Sequence, residues 1–319
     1  MKQRARIVLK SGKDQSLRRF HPWVFSGAIK KIHGPAREGE LVDLYDNKDQ
    51  FLACGHYQEG SIAVRVISFE PVVCAQPFWD RKVEAAWKLR EKLDLQGNAH
   101  TSVFRWINAE GDGMPGLIVD YYGGSAVIQM HSVGMHHEQD AIVDAMKKAA
   151  GKRLHTIYNK SGSTLPDKPG IEKRSGFLLG KQSSGEVREN GYRFRVNWEE
   201  GQKTGFFIDQ RENRRLLGSY AQGRKVLNMF GYTGGFSIYG LGGGASLVHS
   251  VDSSGKAIDL TRENAQLNFP GDQRHEAFAV DAFDFFRDAQ ETYDLIVLDP
   301  PAFAKHQKVL NNALQGLSL

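Results

Sequence analysis

The stretch that decides the fold is Asn228-Met229-Phe230-Gly231-Tyr232-Thr233-Gly234-Gly235-Phe236. It follows a strand-like apolar run at 225–230 and opens a helical segment. Glycines in such a turn let the backbone approach a ligand, and ligands of open α/β folds lie beyond the carboxyl ends of the strands. The stretch lacks the G-x-G-x-x-G pattern, which separates it from the common dinucleotide-binding turn.

Three more strand patterns follow this turn, at 246–252, 276–281 and 293–299, with helical segments between them. The alternation predicts a parallel sheet with right-handed crossovers. Asp252 ends the second strand, 21 residues after Gly231, where a carboxylate can accept both hydroxyls of a ribose. Asp281 ends the third strand, where it can meet an adenine edge. The alternative is that each aspartate only caps the helix that follows.

Two loop motifs complete the candidate site. Asp299-Pro300-Pro301-Ala302-Phe303 follows the fourth strand, and its prolines predict a rigid loop with accepting carbonyls beside which a planar base could dock. A plain strand-ending turn is the alternative. The motif at 201–214 surrounds two aromatic residues with polar groups, as expected of a loop that closes over a cofactor.

The N-terminal part, residues 1–72, has short strand patterns near Ile7, Leu41, Leu52 and Val64, which predict a small β-barrel. Residues 1–31 carry nine bases and one acid, a net charge of +8, whereas residues 200–319 carry twelve bases and fourteen acids. Aromatic and basic residues interleave at 17–25, which favours RNA binding by the side chains Arg18, Arg19, His21 and Trp23. The alternatives are that Trp23 and Phe25 belong to the core and that the bases form a solvated face.

The middle part, residues 77–185, has helical spacing at 78–93 and 139–150 and strand patterns near 104–108, 117–120 and 126–130. These patterns predict an α+β domain. The third part, residues 186–319, starts with a hairpin around Asn190-Gly191, a strong two-residue turn signal, and continues into the parallel sheet.

Composition excludes several classes of protein. The chain has 319 residues and a net charge of +5, with no apolar run of membrane-spanning length and no signal-peptide core. Its two cysteines, Cys54 and Cys74, cannot form a disulfide framework or a cysteine-based zinc site. We therefore expect a soluble cytoplasmic protein with no metal site and no membrane partner.

The motifs Gly231–Gly235, Asp252, Asp281 and 299–303 resemble those of class I S-adenosylmethionine-dependent methyltransferases. With the segment 203–211, the chain resembles the ribosomal RNA large subunit methyltransferase I family, which methylates C5 of cytosine. The resemblance implies an N-terminal PUA-like β-barrel that binds RNA, a central α+β domain and a C-terminal Rossmann-like methyltransferase domain. It implies large-subunit ribosomal RNA as partner and leaves a homodimer open.

The resemblance also implies roles for individual residues. Asp299 and Pro300 would lie between cofactor and target base. S-adenosylmethionine would be bound by Phe206, Asp209, Arg211, Asn228, Phe230, Gly231, Tyr232, Thr233, Gly235, Asp252, Ser253, Asp281, Ala282 and Asp299.

The chain departs from the family in one chemical respect. Methylation at cytosine C5 uses a cysteine thiolate, which the family carries after a later strand, but no cysteine follows Cys74. Four strands are recognisable where such sheets have seven, so we expect a domain truncated after the fourth strand, with an exposed edge and little C5 transfer. The alternatives are a methyltransferase acting on the exocyclic amine of guanine and a non-catalytic RNA-binding protein.

Overall fold

The chain crosses between two units three times. The computed structural model describes residues 4–288 and 290–300. Unit 1 takes the chain through Gly185 together with Asn197–Gly205, and unit 2 takes Glu186–Val196 together with the chain from Phe206 onward. Unit 2 therefore starts with a hairpin that is separated from the rest of the unit by nine residues of unit 1.

The first part of unit 1 is a six-stranded mixed sheet with the strand order β2-β6-β5-β4-β1-β3. The elements are β1 (Ala5–Leu9), α1 (Gln15–Arg18), β2 (Trp23–Phe25), β3 (Ile29–His33), β4 (Leu41–Tyr45), β5 (Phe51–Tyr57) and β6 (Ile62–Ser68). Apolar residues alternate along these strands, so one face buries a core that includes Ile7, Leu44 and Val64. We call this part the β domain.

The second part of unit 1 is the central α+β domain, a five-stranded sheet with the order β11-β10-β9-β8-β7. Its elements are α2 (Gln76–Lys92), β7 (Val103–Asn108), β8 (Leu117–Tyr122), β9 (Ser125–Met130), α3 (Val133–His137), α4 (Gln139–Ala150), β10 (Thr156–Asn159) and β11 (Gly176–Leu179). Proline in the first turn of α2 lacks only an N–H that would have no helical partner. Trp79, Trp106 and Ile128 lie in its core.

Unit 2 starts with the predicted hairpin, β12 (Ser184–Glu189) and β13 (Tyr192–Asn197). Asn190 and Gly191 have φ values of +50° and +90°, the left-handed conformations that a two-residue turn requires. Helix α5 (Arg211–Tyr220) follows the second crossing into this unit.

The rest of unit 2 is a parallel sheet with the order β16-β15-β14-β17. Its elements are β14 (Lys225–Met229), α6 (Gly235–Gly242), β15 (Leu247–Asp252), α7 (Gly255–Asn268), β16 (His275–Ala279), α8 (Ala282–Asp288) and β17 (Leu295–Leu298). Among the described strands, β17 pairs with β14 alone, and its Ile296 and Leu298 side chains are 50% and 58% exposed.

The structure extends the sequence analysis in several places. Trp23 lies in a strand that was not predicted, and β3, β10 and β11 were also missed. The first residues of α5 fall inside the motif that we expected to be a loop. Pro301, Ala302 and Phe303 of the proline motif lie outside the described residues.

Candidate functional site

The polar strand ends of unit 2 meet at a change of direction in the sheet. From β14 the chain adds β15 and then β16 on one side, and β17 returns to the other side of β14. Ligands of open parallel sheets bind outside the carboxyl ends of the strands at such a switch point. Asp252 is the last residue of β15, and Phe230 and Asp299 directly follow β14 and β17. The third strand ends at Ala279, so Asp281 lies two residues beyond it and does not end it as predicted. The predicted motifs nevertheless converge at one edge.

The turn after β14 is held in an unusual backbone conformation. Phe230, Tyr232 and Gly234 have φ values of +55°, +46° and +73°. Left-handed backbone at two non-glycine residues is strained and is concentrated at functional sites. A Cβ at Gly234 would lie 2.7 Å from Thr261 Cγ2, so this position also needs glycine for space.

Helix α7 fixes the same turn through buried polar side chains. The Thr261 hydroxyl donates to the Tyr232 carbonyl at 2.8 Å, and the Asn264 amide donates to the Thr233 carbonyl at 2.9 Å. Both side chains are fully buried, where an unpaired polar group would be costly. Sequence reasoning missed these two residues because nothing local distinguishes them from other polar helix residues.

Asp252 has one partner on each carboxylate oxygen. Oδ2 accepts the Tyr232 backbone N–H at 3.0 Å, and Oδ1 accepts the Ser254 N–H at 2.9 Å. A carboxylate has about four acceptor positions, so each oxygen can accept one more donor. The side chain therefore supports the turn and still fits a vicinal diol. Ser253, next to it, is exposed.

Asp281 and Asp299 are both exposed at this edge. Asp281 Oδ1 accepts the Phe283 N–H at 2.8 Å, which caps α8 as the alternative interpretation required, and Oδ2 has no partner among the described residues. Ala282 is the first residue of α8. Pro300 is half-buried directly after Asp299. An exposed acceptor at Asp281 fits the exocyclic amine of an adenine.

The two aromatic residues of the segment before α5 have different surroundings: one lies in the core and the other lies against the glycine-rich turn. Phe206 is buried, with its ring 5.0 Å from the Phe194 ring and the Arg214 guanidinium 4.6 Å from its own centroid. Phe207 instead packs edge-on against Tyr232, with 5.5 Å between centroids. Phe207, which we did not predict, is thus the aromatic residue that contacts the glycine-rich turn.

A buried ion pair holds this segment in place. Arg214 Nη2 lies 2.8 Å from Glu189 Oε2, Arg214 Nη1 donates to the Phe207 carbonyl at 3.0 Å, and both charged side chains are buried. Removing one partner of a buried pair destabilises a protein by roughly 3–5 kcal/mol. Arg211 also points to this pair, with its Nε 3.4 Å from Glu189 Oε2, whereas Asp209 is exposed.

The remaining predicted residues lie within the turn itself. The Asn228 amide donates to the Ser237 hydroxyl at 2.9 Å, which links the end of β14 to α6. Gly231 donates its N–H to the Val251 carbonyl at 2.9 Å, and Gly235 opens α6. Asn228 and Thr233 are buried, so they support the turn from behind.

The second candidate site is a face of the β domain, which we call the aromatic–basic face (Arg18, Arg19, His21, Trp23 and Phe25). The rings of His21, Trp23 and Phe25 lie 5.8–6.5 Å apart, and Phe25 is 50% exposed. They adjoin a groove of about 360 Å³ lined by Lys13, Ser16, Trp23, Val24, Phe25, Gly27 and Ala28.

The members of this face differ in how they are held. Arg18 is paired with Asp14 at 2.6 Å and Asp46 at 2.7 Å, which raises the pKa of its guanidinium. Arg19 is exposed and is not paired with any described acid. The Trp23 indole donates to Glu110 Oε1 at 2.9 Å, so Trp23 is half-buried and anchored to the central domain.

Neither cysteine has the character of a nucleophile. Cys54 is fully buried in β5, and burial raises the pKa of its thiol. Burial also raises the pKa of the Cys74 thiol to about 12, with a contribution from Cys54. A thiol reacts through its thiolate, so both cysteines are inert at neutral pH.

Across residues 4–288 and 290–300, no group of three or more His, Cys, Asp or Glu side chains is arranged to hold a metal ion. In the same part of the chain, no helix has the length and apolar character that crossing a membrane requires.

Comparison with known proteins identifies the family of the two domains. The signature of the S-adenosylmethionine-dependent methyltransferase family matches residues 138–317, and a PUA-like domain signature matches residues 7–69. A Streptococcus mutans structure, described as a candidate S-adenosylmethionine-dependent methyltransferase, is 25% identical, with a TM-score of 0.82 over 98% of this chain and 82% of its own. A second candidate methyltransferase, solved with SAH, matches with a TM-score of 0.82 and 25% identity over 95% of this chain and 78% of its own.

The fold and the site thus define an S-adenosylmethionine-dependent methyltransferase with an N-terminal PUA-like domain, and its cofactor is S-adenosylmethionine. Ribosomal RNA large subunit methyltransferase I of Alteromonas mediterranea is 38% identical over 98% of this chain and 79% of its own length. The Escherichia coli relative of the same name is 35% identical over the same shares. The chain belongs to the ribosomal RNA large subunit methyltransferase I family.

Proposed function

We propose that this protein methylates large-subunit ribosomal RNA and that its target atom is C5 of a cytosine. The observation that carries the proposal is the match to ribosomal RNA methyltransferases, which covers 98% of the chain. The match therefore includes the β domain and the edge of the parallel sheet where the predicted motifs meet, which we call the cofactor edge (Phe230, Asp252, Asp281 and Asp299). This activity needs both a surface that binds RNA and a site that binds the methyl donor.

We infer that each motif at this edge binds a different part of the methyl donor. Asp252 would accept the ribose hydroxyls, Asp281 would accept the adenine amine, and the turn at 228–235 would hold the methionine end. When bound, the cofactor supplies an electrophilic methyl group on a sulfonium. The buried supports of the turn keep its strained backbone in place before the cofactor arrives, which lowers the ordering cost of binding.

Asp299 and Pro300 would position the target base. They follow β17, which lies directly beside β14, so they are next to the glycine-rich turn in the sheet order. The exposed Asp299 carboxylate can accept a hydrogen bond from the exocyclic amine of cytosine, and Pro300 has no N–H to compete for that base.

The covalent route to cytosine C5 needs a thiolate that adds to C6, so that C5 becomes nucleophilic, and a base that later removes the C5 proton. Burial raises the pKa of both Cys54 and Cys74, which rules them out as that thiolate.

A guanine exocyclic amine is the second candidate target, and Asp299-Pro300 favours it. In that chemistry a proline carbonyl and an acidic side chain orient an amine that attacks the methyl group directly, so no cysteine is required. A third candidate function is RNA binding without catalysis. Only the aromatic–basic face favours it, and it predicts that the protein has no affinity for the cofactor.

The deciding experiment incubates the protein with unmodified large-subunit ribosomal RNA and methyl-labelled S-adenosylmethionine, followed by nucleoside mass spectrometry. Labelled N2-methylguanosine would replace the cytosine proposal with the guanine one. Labelled 5-methylcytidine would support the cytosine proposal and would require a nucleophile other than Cys54 and Cys74. Failure to bind S-adenosylhomocysteine in calorimetry would favour the non-catalytic reading.

Asp299→Asn is the matched variant for this assay, because it removes the charge and keeps the shape. We expect any transfer that is observed to fall at least tenfold, with the affinity for S-adenosylhomocysteine nearly unchanged. A homodimer stays a prediction, and light scattering at micromolar concentration decides it.

A further inference from the structure

A chain of side-chain hydrogen bonds joins β16 to the end of β14, directly before the glycine-rich turn. The Asn228 amide donates to the Ser237 hydroxyl at 2.9 Å, and the Ser237 and Ser250 hydroxyl oxygens are 2.6 Å apart. Ser250 Oγ lies 2.9 Å from His275 Nε2. In the sheet, Asn228 pairs with Ser250, and His275 pairs with the residue two places before Ser250, so these three side chains lie on one face.

The available protons give this chain a direction. An amide nitrogen can only donate, so Ser237 Oγ accepts from Asn228 and donates its own proton to Ser250. Ser250 then donates to His275 Nε2, and every proton of the chain has an acceptor. In the opposite direction, Ser237 would accept from both neighbours, and its own proton would have no acceptor among the described residues. Asn228, Ser237 and Ser250 are buried, where an unpaired donor is costly.

His275 provides the acceptor at the end of the chain because its imidazole is neutral. Burial lowers the pKa of His275 to about 4, the charges of His249 and Arg262 act in the same direction, and Asp272 acts against them. With Nε2 as the acceptor, the one imidazole proton is on Nδ1. His275 lines a cavity of about 160 Å³ together with Arg262 and Asp272. A side chain without an acceptor at this place would leave the Ser250 proton unpaired.

The other end of the chain lies against the glycine-rich turn. A Cβ at Gly231 would lie 3.2 Å from Asn228 Nδ2, so the amide packs directly against this glycine. Asn228 Oδ1 has no partner among the described residues. Rotation of the amide by 180° would exchange its oxygen and its nitrogen. The hydrogen bond to Ser237 therefore decides whether Asn228 offers the turn a free carbonyl oxygen or a free NH₂ group.

We propose that His275 is a positioning residue for cofactor binding. Through the two serine hydroxyls, it holds the orientation in which Asn228 offers its carbonyl oxygen to the methionine end of S-adenosylmethionine. The proposal rests on the proposed role of the turn at 228–235. The α-ammonium of the methionine end is a charged donor that a carbonyl oxygen accepts, whereas an NH₂ group at the same place would repel it. One orientation of the amide therefore favours binding and the other opposes it.

Substitutions at His275 test the role of the terminal acceptor. His275→Leu removes the acceptor, and His275→Gln restores one, because the side-chain oxygen of glutamine reaches about as far as Nε2. We expect His275→Leu to weaken binding of S-adenosylhomocysteine about five- to tenfold in calorimetry at pH 7.5. His275→Gln should bind within twofold of the wild type. His249→Leu is the matched control, because His249 is a buried histidine of the neighbouring strand β15 and bonds to Tyr293 at 2.7 Å, outside the chain.

A double-mutant cycle separates positioning from a general loss of structure. Asn228→Ala should itself weaken binding about tenfold. Adding His275→Leu to Asn228→Ala should then change the affinity less than twofold, because no amide is left to orient. If urea denaturation shows that His275→Leu does not fold, Ser250→Ala interrupts the chain at its centre and takes the same place in the cycle.

The outcomes distinguish this proposal from the proposed function. Wild-type affinity in His275→Leu, or an equal loss on adding it to the wild type and to Asn228→Ala, overturns the positioning role and leaves the proposed function standing. Wild-type affinity in Asn228→Ala overturns the positioning role together with the proposed contact of Asn228 with the cofactor. A wild-type protein that does not bind S-adenosylhomocysteine overturns the proposed function as well.

Discussion

The Asp252 carboxylate stabilises the glycine-rich turn and can also accept hydrogen bonds from a ligand at the cofactor edge. Asp252 accepts two backbone N–H groups that shape the turn and retains acceptor positions for a ligand. The capping interpretation of this residue is wrong, because the N-cap of α7 is Ser254, whose hydroxyl accepts the Ala257 N–H. A substitution at Asp252 should affect the turn and the ligand together.

We expect Asp252→Asn to weaken binding of S-adenosylhomocysteine by about 10- to 100-fold. The amide presents an N–H where the carboxylate accepted one, and hydrogen bonds to a charged group contribute about 1.5–3 kcal/mol each. Calorimetry measures the change. Asp259→Asn is the control, because Asp259 is an exposed acid of α7 that pairs with Arg262. Equal affinities for the two variants would contradict a role of Asp252 in binding.

His275 makes unit 2 sensitive to acid. Burial, with the charges of His249 and Arg262 adding to it, lowers the pKa of His275 to about 4. The unfolded imidazole titrates near 6.5, so between pH 6.5 and 4 only the unfolded chain takes up this proton. Stability is therefore fully present above pH 6.5 and falls as the pH drops through this window, by on the order of 3 kcal/mol at pH 4.

Urea denaturation at pH 7.5, 5.5 and 4.5 measures this dependence. His275→Asn should reduce this dependence without abolishing it, because burial lowers the pKa of His56 to about 4 as well. His33→Asn, at an exposed histidine of β3, should leave it as in the wild type. If the free energy of unfolding of the His275 variant depends on pH as steeply as that of the wild type, groups other than His275 cause the acid sensitivity.

At the scale of elements, the turn between β14 and α6 depends on the close packing of α7 against it. Gly234 and Gly223 both have φ near +70°, but a Cβ at Gly234 would meet Thr261, whereas a Cβ at Gly223 would meet no atom within 4 Å. Alanine substitutions at Gly223 and Gly234 therefore allow the effect of backbone strain to be compared with the effect of strain plus a steric clash.

We expect Gly223→Ala to destabilise the protein by about 1–2 kcal/mol through strain alone. Gly234→Ala should destabilise it more and should also weaken binding of S-adenosylhomocysteine, because the turn must move away from α7. Denaturant titration and calorimetry measure the two effects. A similar loss in both variants, with cofactor affinity intact, would show that the contact with Thr261 does not shape the site.

The parallel sheet and the hairpin could be predicted from sequence because their signals are local. Strand and helix periods alternate after residue 225, and Asn190-Gly191 specifies a turn. The supports of the site were missed because they depend on distant partners. Glu189 and Arg214 are 25 residues apart, and Phe207 differs from the buried Phe206 only through its contact with Tyr232.

At the scale of the whole molecule, charge is divided between two functions. The strongly basic N-terminal residues belong to the β domain, and the slightly acidic residues after 200 mostly form the cofactor unit. Electrostatic attraction should therefore contribute to RNA binding and little to cofactor binding.

Raising the salt concentration from 50 to 200 mM should weaken RNA binding steeply, with a slope of about 0.7 for each phosphate contacted. The affinity for S-adenosylhomocysteine should change by less than twofold over the same range. Fluorescence anisotropy and calorimetry measure the two affinities. A cofactor affinity that falls in parallel with the RNA affinity would contradict this division.

The crossing of the chain at Asn197–Gly205 has a consequence for synthesis on the ribosome. Trp198 and Thr204 complete the packing and hydrogen bonding around Tyr122 and Asp120 of the central domain. The growing chain reaches them only after the hairpin of the other unit has been made, at about 5–20 residues per second. The first unit therefore cannot complete the packing of its interior until residue 205 has been synthesised. In the same way, the buried Glu189 of the hairpin has no ion-pair partner in α5 until Arg214 has been synthesised.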